Sequence, residues 1–186
     1  MAQFVSYDPA SEVSGESVAA FSQGFPAGLE NIGLQILEKH GVENLRPGGW
    51  YSFQSLLDAM REVSETLGNE ILARIGEKVA QTAKISPEVT TLDGFLETID
   101  VTHQLNHKGS EVGHYAYIRI DTAEGLMRAK VHCNTPYPCS FDRGMLEGFA
   151  NRFKPERASG VVVRGDEGQP CRARGDDTCT YIISWA

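Results

Sequence analysis

The chain has 186 residues, of which 41% are hydrophobic, and its formal net charge is -8. This length and composition allow one domain with its own core. The acidic balance excludes the basic face that nucleic-acid binding or attachment to an anionic membrane requires. Residues 1–20 contain no signal segment, and no apolar run reaches the ~18 residues of a membrane helix. We therefore expect a cytoplasmic protein with reduced thiols.

Residues 1–24 are rich in Ser, Gly and Glu and show no lasting hydrophobic period. Such a segment buries too little apolar surface to order itself. The sequence therefore predicts a flexible N-terminal arm over residues 1–24 and a single folded domain over residues 25–186.

Apolar residues then recur at spacings of three and four over four consecutive segments. This period is typical of amphipathic helices, and glycines follow the first two segments, as is common at helix ends. We predict four helices, over residues 26–41, residues 52–68, from Asn69 to Val79, and from Thr90 or Thr91 to about His103.

The hydrophobic period changes to two from residue 113, which is typical of strands. Two strands are predicted over residues 113–121 and 125–133, joined by a turn at residues 122–125. The chain would then continue with a helix over residues 141–153, a strand over residues 159–165, and a β-hairpin over residues 171–185 around an Arg-Gly-Asp-Asp turn.

The order of these elements predicts an α+β fold rather than alternating βαβ units. An N-terminal helical layer would pack on an antiparallel sheet of about four to five strands with one inserted helix. We expect a ligand cavity between the two layers.

His103 follows Ile99, Leu96 and Leu92 at helical spacing, so its side chain shares their apolar face. It is either a core histidine with one hydrogen bond or a ligand to a metal, a heme iron or a polar group of a small molecule. His107 lies one turn further on, but no Glu stands between the two, so the zincin motif is absent.

The four cysteines are Cys133, Cys139, Cys171 and Cys179, and their spacings are wider than those of zinc ribbons. Cys171 and Cys179 flank the predicted hairpin turn, and Cys139 lies where the following helix begins. Three thiolates would meet if that helix packs beside the hairpin. The alternative is that each cysteine is a small buried apolar residue.

Two Arg-Gly-Asp tripeptides begin at Arg164 and Arg174. We interpret both as turns, in which Gly supplies a positive φ and Asp bonds its own backbone. The isolated acids Asp142 and Glu147 are predicted to lie on the helix surface or to cap the helix.

Two segments together resemble the 4-vinyl reductase-like domain: PYPCSFDRGMLEGFANRF, and CRARGDDTCTYIISW at the end of the chain. The superfamily of that domain includes the heme-dependent nitric oxide and oxygen sensors (H-NOX) and the TRAPP vesicle-tethering subunits. The segment FLETIDVTHQL is similar to the one in which the heme sensors place the proximal heme histidine, and the match falls on His103. The resemblance covers roughly residues 27–185.

This resemblance implies two candidate cofactors. In the heme sensors a Tyr-x-Ser-x-Arg signature holds the propionates, and here Tyr137, Ser140 and Arg143 stand at wider spacing. Phenol-sensing members hold a structural zinc with three Cys and a Glu. The three cysteine positions match Cys139, Cys171 and Cys179, but Gly168 stands at the Glu position, so Glu167 or Cys133 would have to be the fourth ligand.

The residues and the resemblance together predict that residues 25–186 form a single ligand-binding sensor domain for a small molecule. His103 would point into an apolar pocket that takes a hydrophobic, heme-type or gas ligand, with Tyr115 or Tyr117 as a hydrogen-bonding neighbour. A signalling partner protein or a homodimer would read the change. The alternatives are a tetrapyrrole-related reductase-like enzyme and a non-catalytic structural interaction module. No nicotinamide or flavin fingerprint is visible, which weighs against an enzyme.

Overall fold

A computed structural model of the chain describes residues 3–83, 85–120 and 127–185. The helices in this part are α1 (Gly15–Gln23), α2 (Glu30–Lys39), α3 (Phe53–Thr66), α4 (Asn69–Thr82), α5 (Leu92–Leu105) and α6 (Cys139–Phe153). The strands are β1 (Glu12–Ser14), β2 (Trp50–Ser52), β3 (His107–Lys108), β4 (His114–Ile120), β5 (Met127–Asn134), β6 (Val161–Gly165) and β7 (Cys179–Trp185). Among the described helices, none has the length and apolar character to cross a membrane.

The strands form two antiparallel sheets, with the orders β2-β1-β3 and β4-β5-β7-β6. On one face of the four-stranded sheet Val131 and Ile183 are buried, and α5 and α6 pack on this sheet. The other face exposes Ile118 and Val162. The predicted α+β fold, with helices on an antiparallel sheet and one helix inserted between strands, is confirmed.

Two helix starts are fixed by the predicted side-chain caps. The side chain of Ser52 accepts the N–H of Ser55 at 3.3 Å, and that of Thr91 accepts the N–H of Gly94 at 3.1 Å. Each cap satisfies a backbone donor that the first helical turn leaves free. The first predicted helix starts later than expected, at Glu30, because residues 26–29 form a turn with Gly28 at φ 87.

The contact between α4 and α6 is unusually close. A Cβ atom on Gly144 would lie 2.0 Å from the carbonyl oxygen of Ala73, and one on Gly76 would lie 2.3 Å from the carbonyl oxygen of Phe141. The two helix backbones therefore touch, since glycine alone leaves room for such an approach. This contact fixes the position of α6 in the helical layer.

The N-terminal residues differ from the loose arm that the sequence predicts. β1 pairs with both β2 and β3, and Val13, Val18 and Phe21 have no exposed surface. Gln3 lies near α6, where its side chain accepts the N–H of Cys139 at 2.8 Å. A three-residue strand such as β1 is too short to show a hydrophobic alternation. Helix α1 forms although the composition of this segment favours a loop, and the side chain of Ser14 caps it.

The predicted closing hairpin is wrong in its first half. Residues 172–174 form a turn of 3₁₀ helix, and β7 pairs with β5 and β6 instead. Pro170 lacks an N–H, and the N–H of Cys171 is bound by the side chain of Asp176 at 2.8 Å, so this backbone does not form a ladder. Gly175 supplies the positive φ of the turn, as predicted. The turn predicted at 122–125 lies outside the described residues.

Candidate functional site

A cavity of about 610 Å³ lies among the helices, and Tyr115 is the residue of the four-stranded sheet that its described lining includes. Most of its lining is apolar and comes from α1, α3, α4, α5 and α6, including Phe21, Leu56, Met60, Ile75, Phe95, Ile99, Phe141, Met145 and Phe149. Among the polar residues of the lining, His103, His107, Tyr115 and Tyr137 are buried and pack against one another, which makes this the inner end of the cavity. An apolar cavity with a few polar groups at one end is typical of a small-molecule site.

His103 lies in the last turn of α5, where it is 7% exposed. Its Nε2 lies 3.0 Å from the carbonyl oxygen of Val112. Because a carbonyl can only accept, Nε2 carries the proton and donates it. The neutral ring therefore keeps a lone pair on Nδ1.

His107 follows α5 and belongs to β3. Its Nδ1–H donates to the carbonyl oxygen of His103 at 2.7 Å, which leaves a lone pair on Nε2. The hydroxyl of Tyr137 donates to that nitrogen at 2.9 Å. A ring N–H held by a carbonyl fixes the tautomer, as it does in histidines that ligate metals, but here the hydroxyl of Tyr137 occupies the other nitrogen.

Both imidazoles are held in the neutral form. Burial lowers the pKa of His103 to about 4. Burial, followed by the effect of a charge on nearby His103, lowers the pKa of His107 to about 3. The two ring centroids are 4.2 Å apart, so one cation would disfavour the other. Neutral imidazole is the form that ligates metals and accepts hydrogen bonds.

The remaining predicted pocket residues lie in different places. Tyr115 lines the cavity and packs edge-on against His103 at 5.2 Å between ring centroids. Tyr117 is not part of the lining, and its hydroxyl donates to Asp93 at 2.9 Å. No local pattern in the sequence indicates the role of His107, because the position of this residue depends on β3 pairing with β1.

The candidate propionate signature does not converge. Tyr137 lines the cavity, whereas Arg143 lies 3.6 Å from Glu70 and Ser140 is 3.5 Å from Asn69, both at the α4 side of α6. No Arg or Lys occurs among the described residues of the lining. The site thus fits heme at its imidazoles and aromatic walls, while the described lining offers no cation to the propionates.

Three of the four cysteines form a cluster, Cys139, Cys171 and Cys179, which we call the cysteine cluster. The Sγ atom of Cys171 lies 3.8 Å from each of the other two, and these are 2.9 Å apart. Sulfurs bound to zinc at about 2.3 Å in tetrahedral geometry lie about 3.8 Å apart. Two of the three distances already match that geometry.

The described residues supply three ligand atoms here and no fourth. Cys133 is fully buried on β5 opposite Cys179 in the register, and Glu167 is exposed; neither joins the cysteine cluster. Hydrogen bonds with Cys139 and Arg172 lower the pKa of Cys179 to about 4, whereas the pKa of Cys139 is raised by the same contact. The contacts of Cys179 therefore favour its thiolate form.

Arg172 connects the cysteine cluster to the cavity wall. Its backbone N–H and Nε–H point at the Sγ of Cys179, at 3.2 and 3.5 Å. Its guanidinium pairs with Asp142 and donates to the hydroxyl of Thr135 at 2.8 Å. The other carboxylate oxygen of Asp142 accepts the hydroxyl of Tyr115 at 2.8 Å.

The surface position predicted for Asp142 is wrong, since its side chain has no exposed surface. The sequence contains a signal for this burial, because Asp142, Met145, Leu146 and Phe149 stand at helical spacing on one face. The burial of Arg172 has no such local signal, since the 3₁₀ turn that carries it is placed by contacts distant in sequence.

Comparison with known proteins agrees with this architecture. No family model and no curated protein matches the chain. Among solved structures, it is similar to an oxygen-binding H-NOX domain related to soluble guanylate cyclases, in its oxygen complex, with a TM-score of 0.60 and 18% identity over 92% of this chain and 94% of that one. A Cs H-NOX mutant with an unnatural amino acid gives a TM-score of 0.63 and 18% identity over 92% and 96%. The chain therefore has an H-NOX-like fold.

Proposed function

We propose that this chain is a sensor domain that binds an apolar or heme-type small molecule in its cavity. The observation that carries the proposal is a pair of neutral, buried histidines at the inner end of an apolar cavity. Titratable groups whose pKa is strongly shifted in a cavity are concentrated at functional sites. The H-NOX-like fold supports this function, because one structural neighbour is an oxygen complex.

His103 and His107 would hold the ligand by different routes. His103 offers the free lone pair of Nδ1, whereas a ligand on His107 would have to displace the hydroxyl of Tyr137 from Nε2. Heme, when bound, would supply an iron that takes a diatomic gas. Because His103 is carried by α5, ligand binding would shift α5 on the sheet, and a signalling partner or a second copy of the chain would read the shift.

The other two functions receive less support. A tetrapyrrole-related reductase would need a bound reductant, and no nicotinamide or flavin fingerprint occurs in the sequence. An interaction module of the tethering type would function with a packed interior, whereas this interior contains a cavity. We therefore favour sensing over catalysis or tethering.

We also propose that the cysteine cluster holds a structural zinc ion. Its geometry supports this, and so does the resemblance to the 4-vinyl reductase-like domain, whose phenol-sensing members carry such a zinc. The zinc would join the start of α6 to the start of β7. Free thiols that can bind metal suit a reducing, cytoplasmic compartment.

The cavity proposal is tested by titrating the purified protein with hemin and recording the absorption spectrum. A Soret band of ligated heme is expected for the wild type, and it should shift or weaken by more than half in His103→Ala or His107→Ala. The matched control is His132→Ala, an exposed histidine on β5 outside the cavity. A spectrum of free hemin in every sample would remove the heme-type ligand from the proposal.

The zinc proposal is tested by metal analysis of the same preparation. About one zinc per chain is expected, and the Cys171→Ser/Cys179→Ser variant should lose it. Cys133→Ala, which removes a buried thiol outside the cysteine cluster, should retain the metal. A folded wild-type protein that takes up no zinc from added zinc salt would refute the site.

A further inference from the structure

The ion pair between Arg172 and Asp142 has no exposed side-chain surface on either partner. Burying two charges costs more free energy than their attraction usually returns, so such a pair is poor evidence of a purely stabilising role. This pair lies between the two candidate sites, and each partner contacts one of them. Its position suggests a role in connecting them.

The connection is continuous in hydrogen bonds. It starts at the Sγ of Cys179, passes through Arg172 and Asp142, and ends at the hydroxyl of Tyr115. The ring of Tyr115 lines the cavity and packs against His103.

Helix α6 provides a second, covalent route between the sites. Cys139 is its first residue, and Asp142 follows within the same turn. Phe141, Met145 and Phe149 of the same helix form part of the cavity wall. A constraint on the start of α6 therefore acts on the wall directly.

We propose that Arg172 and Asp142 couple the two sites, so that a metal ion in the cysteine cluster tightens ligand binding in the cavity. This inference rests on the proposed function of both sites. Arg172 would be a positioning residue, because it is not part of the cavity lining and is not one of the three possible metal ligands. The coupling is reciprocal, so a cavity ligand must tighten metal binding by the same factor.

The sign of the coupling follows from ordering. A bound metal replaces the loose thiol contacts with bonds from α6, the 3₁₀ turn and β7 to one centre. The N–H donors of Arg172 then meet a fixed thiolate, which fixes the orientation of Asp142 and of the Tyr115 hydroxyl before the ligand arrives. A preorganised cavity loses less conformational freedom on binding.

The experiment measures the affinity of the full chain for the neutral apolar fluorophore N-phenylnaphthylamine, with and without saturating zinc. We expect zinc to lower the Kd at least about fivefold, within the usual range of coupling between sites. In Arg172→Met/Asp142→Leu, which removes both charges and leaves all three cysteines and the cavity lining, zinc should change the Kd less than twofold. Arg174→Met is the matched control, an exposed arginine of the same 3₁₀ turn that should retain the full factor.

Each outcome bears on one claim. Equal Kd values for the wild type with and without zinc, or full coupling in the double variant, would overturn the inference while both sites stand. A wild type that binds neither fluorophore nor zinc would overturn the proposed function as well. If the double variant does not fold, Tyr115→Phe can replace it, because this change removes the hydrogen bond between Tyr115 and Asp142. It should reduce the zinc effect on the Kd to less than twofold.

Discussion

Buried polar side chains distinguish the interior of this protein at the scale of single residues. His103 and His107 stay neutral because burial opposes their charge. In Arg172, burial acts to lower the pKa, but Asp142 and Cys179 together raise it, so this side chain stays charged. The two histidines can therefore accept hydrogen bonds or bind metals, and the charged side chain of Arg172 lies between the two candidate sites.

The two histidines should make the stability of the fold depend on pH. In the unfolded chain each imidazole binds a proton below pH ~6.5. In the folded chain His103 binds its proton only below about pH 4, and His107 only below about pH 3, because burial lowers each pKa. The unfolded state therefore binds more protons between these pH values. The free energy of unfolding has its maximum contribution from the histidines above pH ~6.5 and decreases as the pH falls, by up to about 1.4 kcal/mol per pH unit for each histidine.

Denaturant unfolding at intervals between pH ~5 and ~7 measures this slope, and the comparison of variants separates it from the contribution of Asp142, whose pKa burial raises. His107→Leu should remove about half of it. His132→Gln, which changes an exposed histidine outside the cavity, should leave it unchanged. A wild-type stability that is flat over this window would contradict the burial of neutral imidazoles.

At the scale of elements, the contact of α4 with α6 decides where the cavity wall lies. Gly144→Ala would place a Cβ atom 2.0 Å from the carbonyl oxygen of Ala73, which only a separation of the two helices can relieve. We expect the free energy of unfolding to fall by about 1–3 kcal/mol or more. Chemical denaturation measures this loss.

Gly160→Ala is the matched control, because a Cβ atom there would meet nothing within 4 Å. This substitution should change stability by less than about 0.5 kcal/mol. Equal stability of the two variants would show that the helices are not in backbone contact.

The elements that sequence reasoning located are those with local signals. Helices α3 and α5 show a helical period and begin at capping residues, Ser52 and Thr91, whose chemistry acts within one turn. Strands β1, β2 and β3 are two or three residues long, so no period could reveal them, and they exist because they pair with one another. The same reason explains why the N-terminal segment was expected to be loose.

The candidate site could be predicted only in part for the same reason. Helical spacing placed His103 on an apolar face, and the resemblance indicated the three cysteines that meet. The lone pair of His107 depends on Tyr137, which is distant in sequence, and the burial of Arg172 depends on the path of a loop. These contacts are tertiary, so no local pattern encodes them.

At the scale of the whole molecule, helices packed on an antiparallel sheet form a cavity among themselves, in a fold shared with H-NOX domains at 18% identity. Sequence identity this low leaves the layers and their order recognisable while the cavity chemistry can differ. Here the described lining contains two neutral histidines and no Arg or Lys. The fold thus positions the cavity, and under the proposed function its lining residues would select the ligand.

The affinity of the cavity for N-phenylnaphthylamine, in two matched variants, tests the central claim most directly. Val79→Phe adds a ring to a half-buried residue of the lining, and Val162→Phe makes the same change on the exposed face of the sheet, where the side chain is 60% exposed. If the cavity is the binding site, Val79→Phe raises the Kd about tenfold, or about 1.4 kcal/mol, while Val162→Phe matches the wild type. Equal affinities of all three proteins would contradict the account.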